Sequence, residues 1–194
     1  TSLPLAKENN ADIIILSDPD ADRVGVEVLH HGEYIHLSGN EVGALLTDYL
    51  MKTREVKDAV IVKSIVSTNL AKKIIEFYGG TCKNVLTGFK YIGEFVTNLE
   101  KEFDEERFVL GFEESYGYLL GTYARDKDAV VASMLICEMA AYYKSQGITL
   151  VDKLNSLFDA YGYYICAQSS FAFAAAFVTA VPLIAAANKA TTAM

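Results

Sequence analysis

The fold is decided by residues 59–88, which read "AVIVKSIVSTNLAKKIIEFYGGTCKNVLTG". The stretch opens with an apolar run typical of a buried strand and continues with apolar residues at helical spacing. It returns to a strand-like run after Gly79 and Gly80, which end the predicted helix. A strand, a helix and a strand at this spacing predict parallel strands joined by a right-handed crossover. The chain is therefore predicted to be an α/β protein.

The same alternation continues on both sides of this unit. The further predicted elements are a helix capped by Ser38 or Asn40 and ending near Thr53, a helix over 91–103, a strand over 107–113, and helices over 128–145 and 150–161. Helices that alternate with strands in this way cover both faces of a parallel sheet. Residues 38–164 are therefore predicted to form a three-layer α/β/α domain with a mixed, mostly parallel sheet.

The residues before this domain have a different pattern. Residues 13–17 form a continuous apolar run, which predicts a strand covered on both faces. Two strand-like runs, "VGVEVLH" and "EYIHLS", then predict a hairpin. His30, His31 and His36 lie in this hairpin, and we interpret them as part of its polar faces rather than as a metal site.

Composition excludes some classes of function. The net charge is −8 over 194 residues, whereas a nucleic-acid surface requires clustered Lys and Arg, so no nucleic-acid partner is expected. The three cysteines, Cys82, Cys137 and Cys166, are far apart in sequence and form no CxxC pair. They predict buried free thiols in a reducing compartment, and the first residues lack a signal-peptide pattern. A cytoplasmic location is therefore expected.

Residues 165–194 differ in character from the rest of the chain. They are rich in alanine and contain a single charged side chain, Lys189. Their length suggests a membrane span, but Pro182 interrupts the segment and no basic flank frames it. We expect no membrane partner and assign no function to this segment.

Three carboxylates follow the first apolar run at alternate positions: Asp18, Asp20 and Asp22, with Arg23 directly after them. Like charges this close repel one another unless a cation lies among them, and hard divalent cations prefer carboxylate oxygens. An EF-hand loop is excluded because its sixth and twelfth positions would hold Arg23 and Leu29. A haloacid-dehalogenase-type motif fits poorly because Asp22 occupies its fifth position. A divalent-cation site is favoured over a solvated acidic turn, which stays open as the alternative.

The loop "SDPDADR" is similar to the metal-binding loop of the α-D-phosphohexomutases, the phosphoglucomutase and phosphomannomutase superfamily. Three later segments resemble other loops of that family in order and spacing. Residues 87–93, "TGFKYIG", resemble its TG[WFH]K loop, and residues 125–128, "RDKD", its phosphate-contacting segment. Residues 111–117, "GFEESYG", resemble its sugar-binding GEESxG loop, with Phe112 where the family often has glycine. The resemblance covers about residues 11–164.

The resemblance implies how the chain is organised. Residues 1–37 would be the end of domain 2 with its metal loop, and residues 38–164 would be the sugar-binding domain 3. The family's TASHNP-like serine loop and RPSGTEP-like phosphate loop have no counterpart in this sequence. The chain is therefore expected to lack the phosphoserine, to depend on the remaining domains of a parent enzyme, and to be inactive alone.

The resemblance also implies a role for each matching residue. Asp18, Asp20 and Asp22 would hold one Mg²⁺, and Arg23 would contact the transferring phosphoryl group. The implied substrate-binding residues are Thr87, Gly88, Lys90, Glu113, Ser115, Arg125 and Lys127. The implied reaction moves a phosphoryl group between the 1- and 6-positions of a hexose phosphate, through a phosphoserine and a hexose 1,6-bisphosphate.

Sugar specificity stays open at this point. A phosphoglucomutase is the leading interpretation, and a phosphomannomutase or a phosphopentomutase would share the same fold. A non-catalytic, acidic metal-binding module is the alternative from another class, and it would need no sugar loop. The sequence gives no prediction of oligomeric state.

The topology predicts where the matching loops meet. Thr87 and Gly88 follow one predicted strand, and Glu113 and Ser115 follow another. Loops at the carboxyl ends of parallel strands gather at one edge of a sheet, so these two pairs are expected to lie close together. The acidic loop is expected to face that edge across a cleft.

Overall fold

The computed structural model describes residues 2–164, which form two sheets and the helices packed on them. The strands are β1 (Ile13–Ser17), β2 (Val24–His30), β3 (Glu33–Leu37), β4 (Val60–Ser64), β5 (Thr81–Val85), β6 (Phe108–Glu113) and β7 (Gly117–Leu120). The helices are α1 (Ser2–Glu8), α2 (Gly39–Thr53), α3 (Asn69–Phe77), α4 (Phe89–Lys101), α5 (Ala129–Ser145) and α6 (Leu150–Tyr161), with a 3-10 turn at Glu105–Arg107.

The larger sheet has the strand order β5-β4-β6-β7. Strand β4 pairs in parallel with both β5 and β6, whereas β7 returns antiparallel to β6. The crossovers through α3 and α4 are those predicted from residues 59–113. The predicted mixed, mostly parallel sheet is confirmed.

Every residue of β4 is buried, and successive side chains of a strand point to opposite faces of the sheet. Both faces are therefore covered by helices. Val60 and Val62 pack towards α4, and Ile61 packs towards the opposite layer. The cluster on the α4 side contains Val60, Val62, Phe89, Ile92, Val96, Leu99, Phe108 and Leu119. The larger cluster, on the other face, takes buried side chains from α2, α3, α5 and α6. The predicted three-layer α/β/α arrangement is thus confirmed.

The smaller sheet is antiparallel and has the order β1-β2-β3. It joins the larger sheet where Arg23 forms a bridge with Gly117 and the Val24 N–H donates to the Tyr116 carbonyl at 3.1 Å. The predicted hairpin is present as β2 and β3. The prediction that residues 13–17 are covered on both faces is wrong: β1 is an edge strand that pairs with β2, and Leu16 is 49% exposed.

Helix boundaries follow the capping residues closely. Ser38 caps α2, and its hydroxyl and the Glu41 carboxylate form a reciprocal capping box. Thr149 and Asp152 do the same for α6, which has the predicted bounds. Helix α4 begins two residues before the predicted position of 91, directly after Gly88. Helix α1 was not predicted.

The cysteine prediction is wrong in one respect. Cys137 lies on the exposed side of α5, and Cys82 in β5 is only partly buried, although both are free thiols. Helix α5 packs on β7 through one side and leaves Val130 and Met134 exposed on the other, so its apolar sequence does not imply full burial. Cys166 and the predictions for residues 165–194 lie outside the described residues. Within residues 2–164, no helix is long and apolar enough to cross a membrane.

Candidate functional site

The acidic loop folds around the Asp18 side chain. Asp18 Oδ1 accepts hydrogen bonds from the N–H groups of Asp22 (3.1 Å) and Arg23 (3.0 Å), and Ala21 turns the chain with a φ of +56°. The Arg23 N–H is the main cause that holds the pKa of Asp18 below its ordinary value. An oxygen from each of Asp18, Asp20 and Asp22 lies within 4.8 Å of the others. The local fold therefore brings the three predicted carboxylates together.

Two cationic side chains of the chain itself face Asp22. Arg23 Nε lies 3.8 Å from Asp22 Oδ1, with the Arg23 side chain 53% exposed. Lys127 Nζ lies 3.0 Å from Asp22 Oδ2 and 2.8 Å from Asp126 Oδ1, and its side chain is only 12% exposed. Burial opposes protonation of Lys127, but hydrogen bonds to Asp126 and Asp22 raise its pKa above the ordinary value. The acidic loop is thus partly neutralised by an ammonium group.

Gly117 makes room for Lys127. A Cβ atom at position 117 would lie 2.2 Å from Lys127 Cδ, so any other residue there would displace the lysine stem. Lys127 Nζ also lies 5.3 Å from the centroid of the Phe89 ring, at the start of α4. Lys127 therefore contacts the acidic loop, the start of β7 and the start of α4 at once.

Glu113 and Gly88 join the two loops at the carboxyl edge of the larger sheet. Glu113 Oε1 accepts a hydrogen bond from the Gly88 N–H at 2.7 Å, and Glu113 is 6% exposed. Gly88 has a φ of +121°, a conformation that favours glycine. The structure thus places Glu113 beside the loop that contains Thr87 and Gly88, as the strand-end rule predicts.

The segment after Glu113 is a tight turn. Glu114, Ser115 and Tyr116 connect β6 to β7, with a φ of +70° at Tyr116, so Glu113 and Ser115 do not lie on one extended strand. Ser115 is half-buried in this turn.

The side chains of Glu113 and Glu114 have different hydrogen-bond partners. Glu114 Oε2 accepts from the hydroxyls of Ser64 (2.9 Å) and Ser67 (3.1 Å), and the Glu114 N–H donates to Ser67 Oγ. This polar cluster at the end of β4 was missed from the sequence, because isolated serines in a loop carry no motif. Glu114 is therefore an anchor of the turn, while Glu113 faces Gly88.

Arg125 and Lys90, two of the predicted substrate-binding residues, do not contact the acidic loop. Arg125 forms an ion pair with Glu100 of α4 and donates from Nε to Thr97 Oγ1 at 2.8 Å. Lys90 is exposed, and its Nζ lies 4.9 Å from the centroid of the Tyr91 ring. Neither contact is with the acidic loop, so Lys127 is the lysine that the structure brings to it.

The expected cleft between the acidic loop and the sheet edge is bridged at one point. The Lys127–Asp22 ion pair and the Ala129 N–H, which donates to the Ala21 carbonyl at 3.1 Å, join the two sides directly. The ligand set fits a hard divalent cation, because three clustered carboxylates supply oxygen donors. The ammonium of Lys127 beside Asp22 shows that this position attracts positive charge.

The chain belongs to the phosphoglucomutase/phosphomannomutase family, because residues 38–161 match the model of its alpha/beta/alpha domain III. It is 38% identical over 163 residues to the phosphoglucomutase of Staphylococcus aureus strain USA300, an alignment that covers 83% of this chain. The aligned region is 29% of that relative, so the chain spans less than a third of its length.

Solved structures show the same fold. A proposed phosphomannomutase from Thermus thermophilus superposes with a TM-score of 0.63 at 25% identity, over 81% of this chain and 33% of that one. The Paramecium phosphoglucomutase pp63/parafusin gives a TM-score of 0.61 at 18% identity, over 78% of this chain and 25% of that one. The second likeness concerns the fold alone.

Proposed function

We propose that this chain is part of a Mg²⁺-dependent phosphohexomutase of the phosphoglucomutase type. The reaction would move a phosphoryl group between the 1- and 6-positions of a hexose phosphate, with a hexose 1,6-bisphosphate as intermediate. One observation carries the proposal: the acidic loop, Lys127 and the Glu113–Gly88 pair meet at one edge of the sheet, in a domain of this family.

The division of the chain forms part of the proposal. Residues 1–37 would be the end of the preceding domain, which brings the acidic loop, and residues 38–164 would be the sugar-binding domain. The phosphoserine that carries the phosphoryl group would belong to a part of the enzyme outside this sequence. The chain alone would therefore bind ligands without completing the reaction.

Charge neutralisation is the main requirement of phosphoryl transfer. Asp18, Asp20 and Asp22 would hold Mg²⁺, which when bound stabilises charge on the transferring phosphoryl group. The guanidinium of Arg23, half exposed beside Asp22, is available to form two hydrogen bonds with phosphoryl oxygens. Lys127, whose Nζ lies 3.0 Å from Asp22 Oδ2, would supply a further positive charge beside the loop.

Sugar hydroxyls would be bound at the sheet edge. The Glu113 carboxylate uses Oε1 for the Gly88 N–H, so Oε2 is the oxygen that would accept from a sugar hydroxyl. Ser115 and Thr87 would add hydroxyl groups on either side. Lys90 and Arg125 complete the proposed substrate-binding residues, although Arg125 would reach a phosphate only by leaving Glu100.

Three other functions are alternatives to a phosphoglucomutase, and the family description itself supports one of them, a phosphomannomutase. The family name includes phosphomannomutases, and the match to its domain III does not separate glucose from mannose phosphate; a phosphopentomutase would use the same fold. A non-catalytic metal-binding module would use the acidic loop but not Glu113. Binding of the metal ion and binding of the sugar phosphate must therefore be tested separately.

The test measures the binding of each ligand to this chain in two variants, each of which should lose one ligand and keep the other. Mn²⁺ binding is followed by electron paramagnetic resonance, and glucose 1-phosphate binding without metal is followed by NMR shifts. Asp20→Asn should remove Mn²⁺ binding and keep sugar-phosphate binding. Glu113→Gln keeps an acceptor for Gly88 but loses the charge, so it should weaken sugar-phosphate binding about tenfold and leave Mn²⁺ binding unchanged.

The control is Glu102→Gln, an exposed acid-to-amide change after α4 that should alter neither ligand. Unchanged Mn²⁺ binding in Asp20→Asn would refute the metal assignment. Unchanged glucose 1-phosphate binding in Glu113→Gln, with metal binding intact in the wild type, would favour the non-catalytic module.

A further inference from the structure

The turn between β2 and β3 brings two adjacent histidines to the same side of the chain. Neighbouring side chains in a regular strand point to opposite faces. His30 is the last residue of β2, and His31 leaves the strand with a φ of +49°, ahead of Gly32 at +87°. The two imidazole rings consequently lie with their centroids only 4.0 Å apart.

A carboxylate from a distant element completes this cluster. Asp152 lies in the first turn of α6, and a ring nitrogen of His30, a ring nitrogen of His31 and an oxygen of Asp152 lie within 4.8 Å of one another. Asp152 Oδ2 accepts from the N–H and the hydroxyl of Thr149, both at 2.8 Å. Asp152 Oδ1 is the oxygen that faces the histidines, 3.9 Å from His30 Nδ1.

The hydrogen bonds of Thr149 determine the tautomer of neutral His30. The Thr149 hydroxyl has one proton, which it donates to Asp152 Oδ2, and it accepts from the Asp152 N–H at 3.1 Å. Its 2.9 Å contact with His30 Nδ1 must then have the ring as donor. The lone pair of neutral His30 is therefore on Nε2, so Nε2, rather than the Nδ1 that lies 3.9 Å from Asp152 Oδ1, is the nitrogen that would bind a metal. A histidine that binds a metal through one nitrogen usually donates from the other in this way.

We propose that His30, His31 and Asp152 form a Zn²⁺ site, separate from the acidic loop and independent of the function proposed above. Two imidazoles and one carboxylate are a donor set that suits Zn²⁺, whereas Mg²⁺ prefers oxygen donors alone. Zn–N distances of about 2.0–2.1 Å require the donors to move closer than they lie here, and exposed His31 has the freedom to turn. Bound Zn²⁺ would cross-link the β2–β3 turn to α6.

The test is calorimetric titration of the whole chain with Zn²⁺ in excess Mg²⁺, which competes with Zn²⁺ for sites made of carboxylate oxygens alone. The wild type should bind one Zn²⁺. His31→Asn should bind at least about tenfold more weakly, because even an outer hydrogen-bond partner of a metal ligand is worth 10- to 100-fold. Asparagine is chosen because it tolerates the left-handed backbone at this position. Asp152→Asn should also bind more weakly, through loss of the charged oxygen.

Two controls separate this site from other sources of Zn²⁺ affinity. His36→Asn changes a histidine of the same hairpin whose Nε2 contacts the Tyr116 hydroxyl, and it should bind Zn²⁺ as the wild type does. Asp20→Asn should also keep full affinity. Zn²⁺ should raise the unfolding temperature of the wild type but not that of His31→Asn. No binding by the wild type, equal binding by His31→Asn, or loss of binding in Asp20→Asn would each overturn the proposal.

Discussion

At the scale of single residues, Lys127 holds the candidate site together before any ligand is bound. Its ammonium pairs with Asp22 of the acidic loop, and its stem lies across Gly117. A divalent cation at the three carboxylates would compete with that ammonium for Asp22. Release of Lys127 from Asp22 would leave it available to a phosphate, so metal and phosphate binding are expected to favour each other.

Lys127→Met should therefore tighten Mn²⁺ binding in the absence of a sugar phosphate. Methionine keeps an unbranched apolar stem across Gly117 but removes the competing charge. A partly buried ion pair is worth about 1 kcal/mol, which corresponds to a roughly fivefold gain in affinity. The measurement is a Mn²⁺ titration by electron paramagnetic resonance, with exposed Lys90→Met as the control that should show no gain. A folded Lys127→Met protein with weaker Mn²⁺ binding would contradict this competition.

The predictability of the site differs from residue to residue. The convergence of Asp18, Asp20 and Asp22 is visible in the sequence because it depends on one short loop. The proximity of Glu113 to Gly88 follows from the rule for parallel strand ends, without any knowledge of side-chain packing. No comparable rule predicts the Lys127–Asp22 ion pair from the sequence, because the pair depends on how the two sheets pack against each other.

At the scale of elements, four helical segments share one buried carboxylate. Asp48 of α2 is 2% exposed, and it accepts from the hydroxyls of Tyr78 (3.2 Å), after α3, and Tyr143 (3.1 Å), in α5. Lys153 of α6 places its Nζ 2.9 Å from Asp48 Oδ2, with a side chain 15% exposed. This polar cluster fixes the positions of helices that otherwise contact one another through non-directional apolar packing.

Asp48→Ala should lower the free energy of unfolding by about 3 kcal/mol, because it leaves the largely covered Lys153 ammonium without its counter-charge and two tyrosine hydroxyls without their acceptor. Chemical denaturation followed by circular dichroism gives this value. The control is Asp159→Ala, an exposed aspartate on the same helix as Lys153, which should change stability by less than about 0.5 kcal/mol. Similar losses in both variants would show that Asp48 does not organise the helices.

Tyr78 should make the fold sensitive to alkaline pH. Burial, and after it the Asp48 carboxylate, raises the pKa of Tyr78 from 10.0 to about 12. The unfolded chain releases this proton near pH 10 while the folded chain keeps it, so stability falls as pH rises from about 10 to 12. Denaturation at a series of pH values should show a smaller loss across this window in Tyr78→Phe than in the wild type. Equal slopes would contradict this assignment.

At the scale of the whole molecule, the chain contains the proposed metal-binding and sugar-binding residues, but no segment of its sequence is similar to the family's serine loop. The purified chain should therefore show no turnover of glucose 1-phosphate in a coupled assay with added Mg²⁺ and hexose 1,6-bisphosphate. A phosphoglucomutase assayed beside it confirms that the assay works. Turnover that scales with the purified chain and disappears in Asp18→Ala would mean that a residue of this chain carries the phosphoryl group.

Sequence patterns predicted the larger domain better than the smaller sheet. Residues 59–113 alternate between two clear periodicities, and each segment is long enough for the crossover rules to apply. The sequence of β1 predicts a strand covered on both faces, because an apolar run does not reveal how many strands it pairs with or which faces are covered. Helix α1 is only seven residues long, and short helices carry little periodic signal.

The contact between the two sheets has a consequence for recombination between relatives. A crossover at residue 38 would follow the start of the matched domain, yet it would take Asp22 and Arg23 from one parent and their partners Lys127 and Gly117 from the other. Such a chimera would combine an acidic loop and a lysine that had not been selected together. A junction placed before residue 11 would take the acidic loop and Lys127 from the same parent. Residues 1–10 are therefore a safer place for the junction than the boundary near residue 38.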